Sequence, residues 1–234
     1  MPGISLQTRA LLAINFNHVL CDNSRRSMQA ACERWGAAFI EWNEATAPKY
    51  PIHPAALKCA VFEKTDADEA LTLDADTVIS SACPSPFERF DGPEFVAVIN
   101  GNPERFGDID AIRQCEVFEW QRLQEREPAL ASAQYVAGRY WNSGMMLARR
   151  AYHAEMFRLA LDVVHRDNGC GWVDQTVLNM AAIVTGVQVR FANESWNMIH
   201  PEGLPGFPRM DHGYIWHFAG SPGRENILPR IQWQ

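Results

Sequence analysis

The chain has 234 residues, of which 47% are hydrophobic, and this size predicts one well-packed domain spanning residues 1–234. Its formal net charge is -7, so the basic face that nucleic-acid-binding proteins usually carry is not expected. No apolar run approaches the roughly 20 residues that a membrane span needs, and no such span is predicted.

Strand-like and helix-like segments alternate along the chain. The apolar N-terminal run is predicted to be the first strand rather than a signal peptide, because Asn15, Asn17 and His18 interrupt it. The predicted strands are 11–16, 37–43, 69–74, 94–100, 143–148, 187–191 and 214–219. The predicted helices are 24–35 after an Asn23 cap, 53–65 with Pro54 in the first turn, 108–127, 151–166 and 173–184.

This alternation predicts an α/β fold with a mixed, mostly parallel sheet flanked by helices. Ligands in such sheets bind at the carboxyl ends of the strands. Segment 200–213 is rich in proline and glycine and precedes the last predicted strand, so it is expected to be a mobile loop that acts as a lid.

The cysteines and lysines limit the chemistry. Six cysteines form neither a CxxC pair nor a zinc-ligand spacing, which is typical of reduced thiols in a cytoplasmic protein. The three lysines are Lys49, Lys58 and Lys64, so all positive charge after residue 64 comes from arginine. A mechanism that needs a later lysine is therefore excluded.

Two carboxylates end a strand that is otherwise apolar. Residues 69–80 read EALTLDADTVIS, with Asp74 and Asp76 one residue apart. A plain explanation is a turn that Asp76 or Thr77 caps. A functional explanation is a divalent-metal site, since two hard oxygen ligands on a tight turn can bind one Mn²⁺ or Mg²⁺ ion.

The same letters fit a phosphatase pattern. DADTV matches the DxDx(T/V) motif of haloacid-dehalogenase-like enzymes, in which the first aspartate is the nucleophile. That family also needs a later lysine and a later acidic pair. No lysine follows Lys64, and neither DD nor ED follows residue 76, so this interpretation is disfavoured.

Four later segments follow the aspartate pair in a recognisable order. They are YWNSGMMLARR (140–150), GWVDQTVLNM (171–180), SWNMIHP (195–201) and YIWHFAGSPGREN (214–226). Together with LTLDADTVIS, they resemble the glycogenin and lipopolysaccharide-galactosyltransferase family of retaining glycosyltransferases, family 8, with the GT-A fold. The motifs stand in order over residues 58–224, and the resemblance covers most of the chain and is poorest at 77–135.

The resemblance implies a metal-dependent transfer of a hexose from a UDP-sugar to a hydroxyl acceptor, a glycan or another molecule. Asp74, Asp76 and His217 would bind Mn²⁺ or Mg²⁺. Gly220 would let the backbone approach the diphosphate, and Lys58 would lie near it. Arg224 is the candidate replacement for the family's lysine, one position out of register.

Further roles follow from the same resemblance. Asn15 and Asn17 would meet the uracil and ribose, and Asn142 and Ser143 would bind sugar hydroxyls or the acceptor. Asp174 would orient a sugar hydroxyl. Gln175 would lie below the anomeric carbon, with its carbonyl oxygen facing the developing positive charge. Trp196 and Asn197 would form the wall of the acceptor pocket.

Two alternatives of other kinds stay open. A nucleotidyltransferase would share the layout, but it usually has a Gly-rich basic loop after the first strand, which NFNHVLCDNSRR lacks. A catalytically inactive sugar-nucleotide-binding domain would keep the same residues without turnover. Lys58 could also lie on a solvated helix face.

Overall fold

A computed structural model of the chain describes residues 8–16, 22–100, 109–167, 173–199 and 213–218. Within these residues the strands are β1 (Arg9–Ile14), β2 (Ala38–Trp42), β3 (Glu69–Asp74), β4 (Thr77–Ile79), β5 (Phe95–Ile99), β6 (Trp141–Arg149), β7 (Val189–Ala192), β8 (Met198–Ile199) and β9 (Ile215–His217). The α-helices are α1 (Asp22–Trp35), α2 (Val61–Lys64), α3 (Pro86–Arg89), α4 (Ile109–Arg126), α5 (Arg150–Arg166) and α6 (Val173–Val184). Short 3₁₀ helices cover Pro54–Ala60, Pro128–Leu130 and Glu194–Trp196.

Six strands form the central sheet in the order β2-β1-β3-β6-β5-β7. Strand β6 is antiparallel to both of its neighbours, and the other adjacent pairs are parallel. The predicted mixed, mostly parallel sheet is therefore confirmed. Because β6 runs the other way, its first residues lie at the same edge of the sheet as the last residues of β1, β3 and β5.

Apolar residues cover both faces of this sheet. In β1, Leu12 faces a core shared with α5 and α6, while Leu11 faces a second core shared with α1. Met146 and Met145 divide in the same way in β6. Strands buried on both faces are near-continuously apolar. Helices lie against both faces, as predicted, so a ligand can reach the sheet at the ends of its strands.

A second, three-stranded sheet has the order β4-β9-β8. Strand β9 is antiparallel to β4 and parallel to β8, and His217 pairs with Thr77 across the β4–β9 ladder. The carbonyl oxygen of Asp76 accepts a hydrogen bond of 2.9 Å from the N–H of Phe218. This small sheet brings residues 215–218 beside the turn that follows β3.

Several predicted elements differ from the observed ones. Segment 53–65 is a 3₁₀ helix followed by the single turn of α2, and residues 56–60 are all buried. Burial of five consecutive residues differs from an amphipathic helix, which buries one face and exposes the other. Helix α1 begins at Asp22, so Asn23 lies inside it and is not its cap. Strands β4 and β8 were not predicted, because two or three residues show no periodicity.

Other predictions concern composition rather than single elements. Among the described residues Cys32, Cys59, Cys83 and Cys115 are free thiols, the first three of them buried. No helix in the described ranges is long and apolar enough to cross a membrane. Of the predicted lid at 200–213, all but Gly213 lies outside the described residues.

A buried ion pair holds the sheet at the edge opposite the aspartate pair. Arg149 at the end of β6 pairs with Glu69 at the start of β3, with Nε and Oε1 2.7 Å apart. The same guanidinium donates to the carbonyl oxygens of Phe90 and Gly92. Arg149 therefore ties the central sheet to the segment that leads into β5.

Replacing Arg149 with leucine is expected to lower the free energy of unfolding by about 3 kcal/mol, because two carbonyl groups lose a buried donor and Glu69 keeps only the partly exposed Arg9 as an ionic partner. Arg158→Ala is the matched control, since Arg158 forms an exposed pair with Asp162 one helical turn away. That change is expected to cost about 0.5 kcal/mol or less. Urea unfolding measures both, and equal losses in the two variants would contradict the prediction.

Candidate functional site

The aspartate pair occupies the tight turn between β3 and β4. Asp74 is the last residue of β3, and the hydroxyl of Thr77 donates a hydrogen bond of 2.8 Å to its carbonyl oxygen. Thr77 thus closes the turn, as the capped-turn explanation expected. A strand rather than a helix follows the turn.

His217 faces both carboxylates. Its Nε2 atom lies 3.5 Å from Oδ2 of Asp74 and 3.3 Å from Oδ1 of Asp76. One ligand atom from each of the three residues lies within 4.8 Å of the others, a spacing that one metal ion can bridge. The predicted convergence of these side chains from distant parts of the sequence is therefore confirmed.

Gly144 makes room for the imidazole of His217. A Cβ atom at position 144 would lie 2.3 Å from Cε1 and 2.6 Å from Nδ1 of that ring. Real Cβ atoms do not approach ring atoms so closely, so any side chain here would displace His217. The glycine of the NSG motif is thus explained by the packing of a residue 73 positions later in the printed sequence.

Lys58 lies beneath the turn and is 2% exposed. Its ammonium is 2.8 Å from Oδ1 of Asp74 and 3.1 Å from Oδ2 of Asp174. It also donates to the carbonyl and hydroxyl oxygens of Ser143, both at 3.2 Å. The alternative of a solvated helix face is therefore wrong. Four oxygens surround three N–H groups, so a direct contact with a diphosphate would require one of them to be released.

Asp174 and Gln175 open the first turn of α6 and point to the start of β6. Oδ2 of Asp174 accepts a hydrogen bond of 2.8 Å from the hydroxyl of Ser143. Oε1 of Gln175 accepts one of 3.1 Å from the N–H of Ser143. Both side chains are largely buried. Oε1 of Gln175 keeps a second lone pair that this bond does not use, whereas Oδ2 of Asp174 also faces the ammonium of Lys58.

Three carboxylates and one ammonium group lie close together in the site. The carboxylates of Asp74, Asp76 and Asp174 carry three negative charges, and the ammonium of Lys58 offsets one of them. Burial lowers the pKa of Lys58, but Asp74 and Asp174 more than reverse this, and the net pKa is raised. Burial also lowers the pKa of His217, and Asp76 and Asp74 raise it above its ordinary value. The two carboxylates of the turn therefore stabilise the protonated form of the His217 imidazole.

Asn15 lies at the same edge of the sheet, one residue beyond the end of β1. Its Nδ2 atom donates to Oε1 of Glu41 at 2.8 Å. Hydrogen bonding to Arg25 is the largest cause that lowers the pKa of Glu41 to about 2. Beside this end of β1 is a cavity of about 470 Å³. Its lining includes Phe16, Tyr50, Pro51, Ile52 and Leu57.

Asn142 and Asn197 connect the NSG motif to His217. Oδ1 of Asn142 accepts from the N–H of Gly144 at 2.7 Å and from Nδ2 of Asn197 at 2.9 Å. Oδ1 of Asn197 lies 3.0 Å from Nδ1 of His217. Both lone pairs of Oδ1 of Asn142 are thereby used within the protein, and its Nδ2 donates to Oδ1 of Asn100 at 3.3 Å, which leaves one amide N–H for a ligand.

The sequence predicted that Asn197 lines an acceptor pocket, and it did not predict the contact of Asn197 with His217. The pair Trp196-Asn197 within SWNMIHP was the only signal for this residue in the sequence. Trp196 is buried between Phe90 and Tyr214, so the prediction that its indole forms a pocket wall is wrong. Three other predicted donor-binding residues lie outside the described residues, namely Asn17, Gly220 and Arg224.

Comparisons with known proteins identify the fold. No family model matches the chain, and no curated protein sequence does. The bifunctional glycosyltransferase WbbM aligns with all of this chain at a TM-score of 0.59 and 12% identity. The alignment covers 51% of the WbbM chain, so this chain spans about half of that protein.

Two further structures align along nearly their whole length. A glycosyltransferase involved in the glycosylation of the major capsid of PBCV-1 has a TM-score of 0.59 and 11% identity, with 96% of this chain and 100% of that chain covered. The galactosyltransferase LgtC, solved with donor and acceptor sugar analogs, has a TM-score of 0.52 and 15% identity, with 94% of each chain covered. The chain therefore has the GT-A fold of these proteins.

Substituting Gly144 with alanine is expected to displace the ring of His217 and to destabilise the protein by about 1–3 kcal/mol, because the added methyl group overpacks the site. Gly92→Ala is the control. A Cβ atom there would meet only the carboxylate of Glu94, a flexible side chain that can rotate away. Urea unfolding and the NMR resonances of the His217 ring measure the two effects. An unmoved ring in Gly144→Ala would contradict the prediction.

Proposed function

We propose that the protein is a metal-dependent retaining glycosyltransferase that transfers a hexose from a UDP-sugar to a hydroxyl group of a glycan or another acceptor. The observation that carries this proposal is the meeting of Asp74, Asp76 and His217 around one point at the carboxyl edge of a GT-A sheet. The shared fold of solved glycosyltransferases supports it, and so does the order of the sequence motifs.

The donor set fits a divalent cation. Two carboxylates and an imidazole suit Mn²⁺, which accepts oxygen and nitrogen ligands, better than Mg²⁺, which prefers oxygen. The carboxylates of Asp74 and Asp76 both face Nε2 of His217, and carboxylate ligands attract a divalent cation. When bound, the cation would hold the diphosphate and stabilise the negative charge of the leaving group.

The donor would lie along the carboxyl edge of β1 and β3. Asn15 would lie next to the nucleoside, and the cavity lined by Phe16, Tyr50 and Leu57 is of a size suited to a base and ribose. Asn17 would extend the same contact. Gly220 and Arg224 would complete the diphosphate site from the C-terminal part of the chain.

Lys58 is proposed to act mainly as a buried counter-ion. Its ammonium holds Asp74 in position through Oδ1, which leaves Oδ2 of that carboxylate directed toward Nε2 of His217. The same ammonium anchors Asp174. One cation thus positions a metal ligand and a sugar-binding carboxylate together, and a diphosphate would benefit from its charge at short range.

The sugar would sit between the start of β6 and the first turn of α6. Asp174 and Asn142 would bind its hydroxyl groups, and Ser143 keeps Asp174 in place. Gln175 has no basic group and an amide is a poor nucleophile, so its role would be electrostatic, with the free lone pair of Oε1 facing the anomeric carbon. Of the carboxylates here, Asp174 is held by Lys58 and Ser143, which favours a retaining reaction in which the leaving phosphate takes the acceptor proton.

The alternative of a nucleotidyltransferase needs the same cation but a basic phosphate-binding loop after β1. An inactive sugar-nucleotide-binding domain would bind the donor and leave it intact, so turnover separates it from an enzyme. A single domain over residues 1–234, a cytoplasmic location and the absence of nucleic-acid partners all remain predictions from the sequence.

Asp76→Asn is expected to weaken Mn²⁺-dependent binding of UDP by at least about tenfold, because a neutral amide replaces a charged metal ligand. Isothermal titration of UDP, with and without Mn²⁺, measures the change. Asp66→Asn is the matched control, since Asp66 is exposed and lies away from the site. Unchanged binding in Asp76→Asn would remove this residue from the site, and equal losses in both variants would indicate a nonspecific effect.

Gln175→Ala is expected to lower turnover roughly 100-fold, the scale of removing one preorganised electrostatic group, while the donor dissociation constant changes little. Gln121→Ala on the exposed face of α4 is the control. The anomeric proton resonance of the product is expected to show an α-linkage from a UDP-α-hexose. A β-linkage would contradict a retaining reaction, and full turnover in Gln175→Ala would contradict its catalytic role.

A further inference from the structure

A continuous row of hydrogen-bonded side chains leads from helix α4 to His217. Oε1 of Glu116 accepts from Nδ2 of Asn100 at 2.8 Å, and Oδ1 of Asn100 accepts from Nδ2 of Asn142 at 3.3 Å. Oδ1 of Asn142 accepts from Nδ2 of Asn197 at 2.9 Å, and Oδ1 of Asn197 lies 3.0 Å from Nδ1 of His217. These five side chains are called the amide relay below.

The direction of the amide relay is fixed at its far end. An ionised carboxylate can only accept hydrogen bonds, so Glu116 requires Asn100 to present its NH₂ group. The hydroxyl of Tyr135 donates to Oε2 of Glu116 at 2.7 Å, which uses the other oxygen of the carboxylate as an acceptor as well. Asn100 must then turn its carbonyl oxygen toward Asn142.

A second group fixes the direction independently in the middle. The backbone N–H of Gly144 can only donate, and it donates to Oδ1 of Asn142 at 2.7 Å. Asn142 therefore presents its carbonyl oxygen on the side of Asn197. Asn197 must therefore donate from its NH₂ group, and its carbonyl oxygen faces His217.

The end of the amide relay determines which nitrogen of His217 carries the proton. A carbonyl oxygen accepts but does not donate, so Nδ1 of His217 must hold a hydrogen. In the neutral ring Nε2 then has a lone pair, and Nε2 is the atom that faces Asp74 and Asp76. A reversed amide at Asn197 would favour the other tautomer, which has no lone pair on that side.

We propose that Glu116, Asn100, Asn142 and Asn197 are positioning residues that hold His217 in the Nδ1–H tautomer, with Nε2 ready to bind a divalent cation. This rests on the proposed metal site and deepens it. Groups that orient a ligating histidine through its other nitrogen typically change metal affinity 10–100-fold when removed. Asn142 of the sequence NSG (142–144) and Asn197 of the pair Trp196-Asn197 thus share one function, which is to orient the ligand His217.

The test reads the tautomer directly, by ¹⁵N NMR of histidine-labelled, metal-free protein above the pKa of the ring. The His217 signals are identified by their loss in His217→Ala. The unaltered protein is expected to show a protonated Nδ1 and an unprotonated Nε2. A protonated Nε2 would overturn the proposal without recourse to any variant.

Two substitutions at Asn197 separate the hydrogen bond from packing. Asn197→Asp keeps an acceptor for Nδ1–H, so it is expected to retain the tautomer and bind Mn²⁺ at least as tightly. Asn197→Leu has similar size without an acceptor, so the proton is expected to move to Nε2, toward the carboxylates, and Mn²⁺ affinity to fall about 10–100-fold. Wild-type tautomer and affinity in the leucine variant would overturn the proposal, as would loss of the tautomer in the aspartate variant.

The two proposals fail in different ways. If the unaltered protein shows the Nδ1–H tautomer but Mn²⁺ causes no change in a calorimetric titration, the proposed metal site is wrong while the amide relay is supported. If Mn²⁺ binds and the ring is protonated on Nε2 before binding, the amide relay is wrong and the metal site stands.

Discussion

Negative charge gathered at one buried edge of a sheet is the constraint on which the site depends. Asp74, Asp76 and Asp174 are held close together. Asp76 and Asp174 are buried and Asp74 is partly exposed, and buried charges without partners are costly. Lys58 offsets one of the charges at a distance of about 3 Å from two of the carboxylates. The ammonium of Lys58 thus stabilises two carboxylates at once, and these contacts offset the cost of burying the lysine.

The architecture of the sheet divides the site into two parts. Asp74 and the start of β6 belong to long strands that are packed on both faces, so their positions are set by the core. His217 belongs to a three-residue strand of the small sheet, where backbone pairing with Thr77 positions it, and its side chain is buried. Gly144 leaves room for its ring, and Asn197 contacts Nδ1 of the ring. This ligand is thus oriented by a polar side chain as well as by the small sheet.

Much of this could be predicted from the sequence, because regular patterns mark it. The apolar pattern of β3 ends at Asp74. The apolar stripe along one side of α5 and the apolar run in β6 are equally clear in the sequence. The burial of Lys58 could not be predicted, since it depends on Ser143, which lies 85 residues along the chain. Strands β4 and β8 are too short for a period. The partnership of Asn197 with His217 has no local signal, because the same amide could face solvent, substrate or protein.

The pairing of β9 with β4 has a consequence for the order of events during synthesis. A ribosome makes Asp74, Lys58 and Ser143 early, and the central sheet can begin to form around them as they emerge. His217 emerges only after all six strands of the central sheet have been made. A nascent chain therefore carries the two aspartates of the turn before it carries the imidazole, and the three side chains can meet only once β9 has been made. The side chain that completes the cluster of Asp74, Asp76 and His217 is therefore the last of the three to be synthesised.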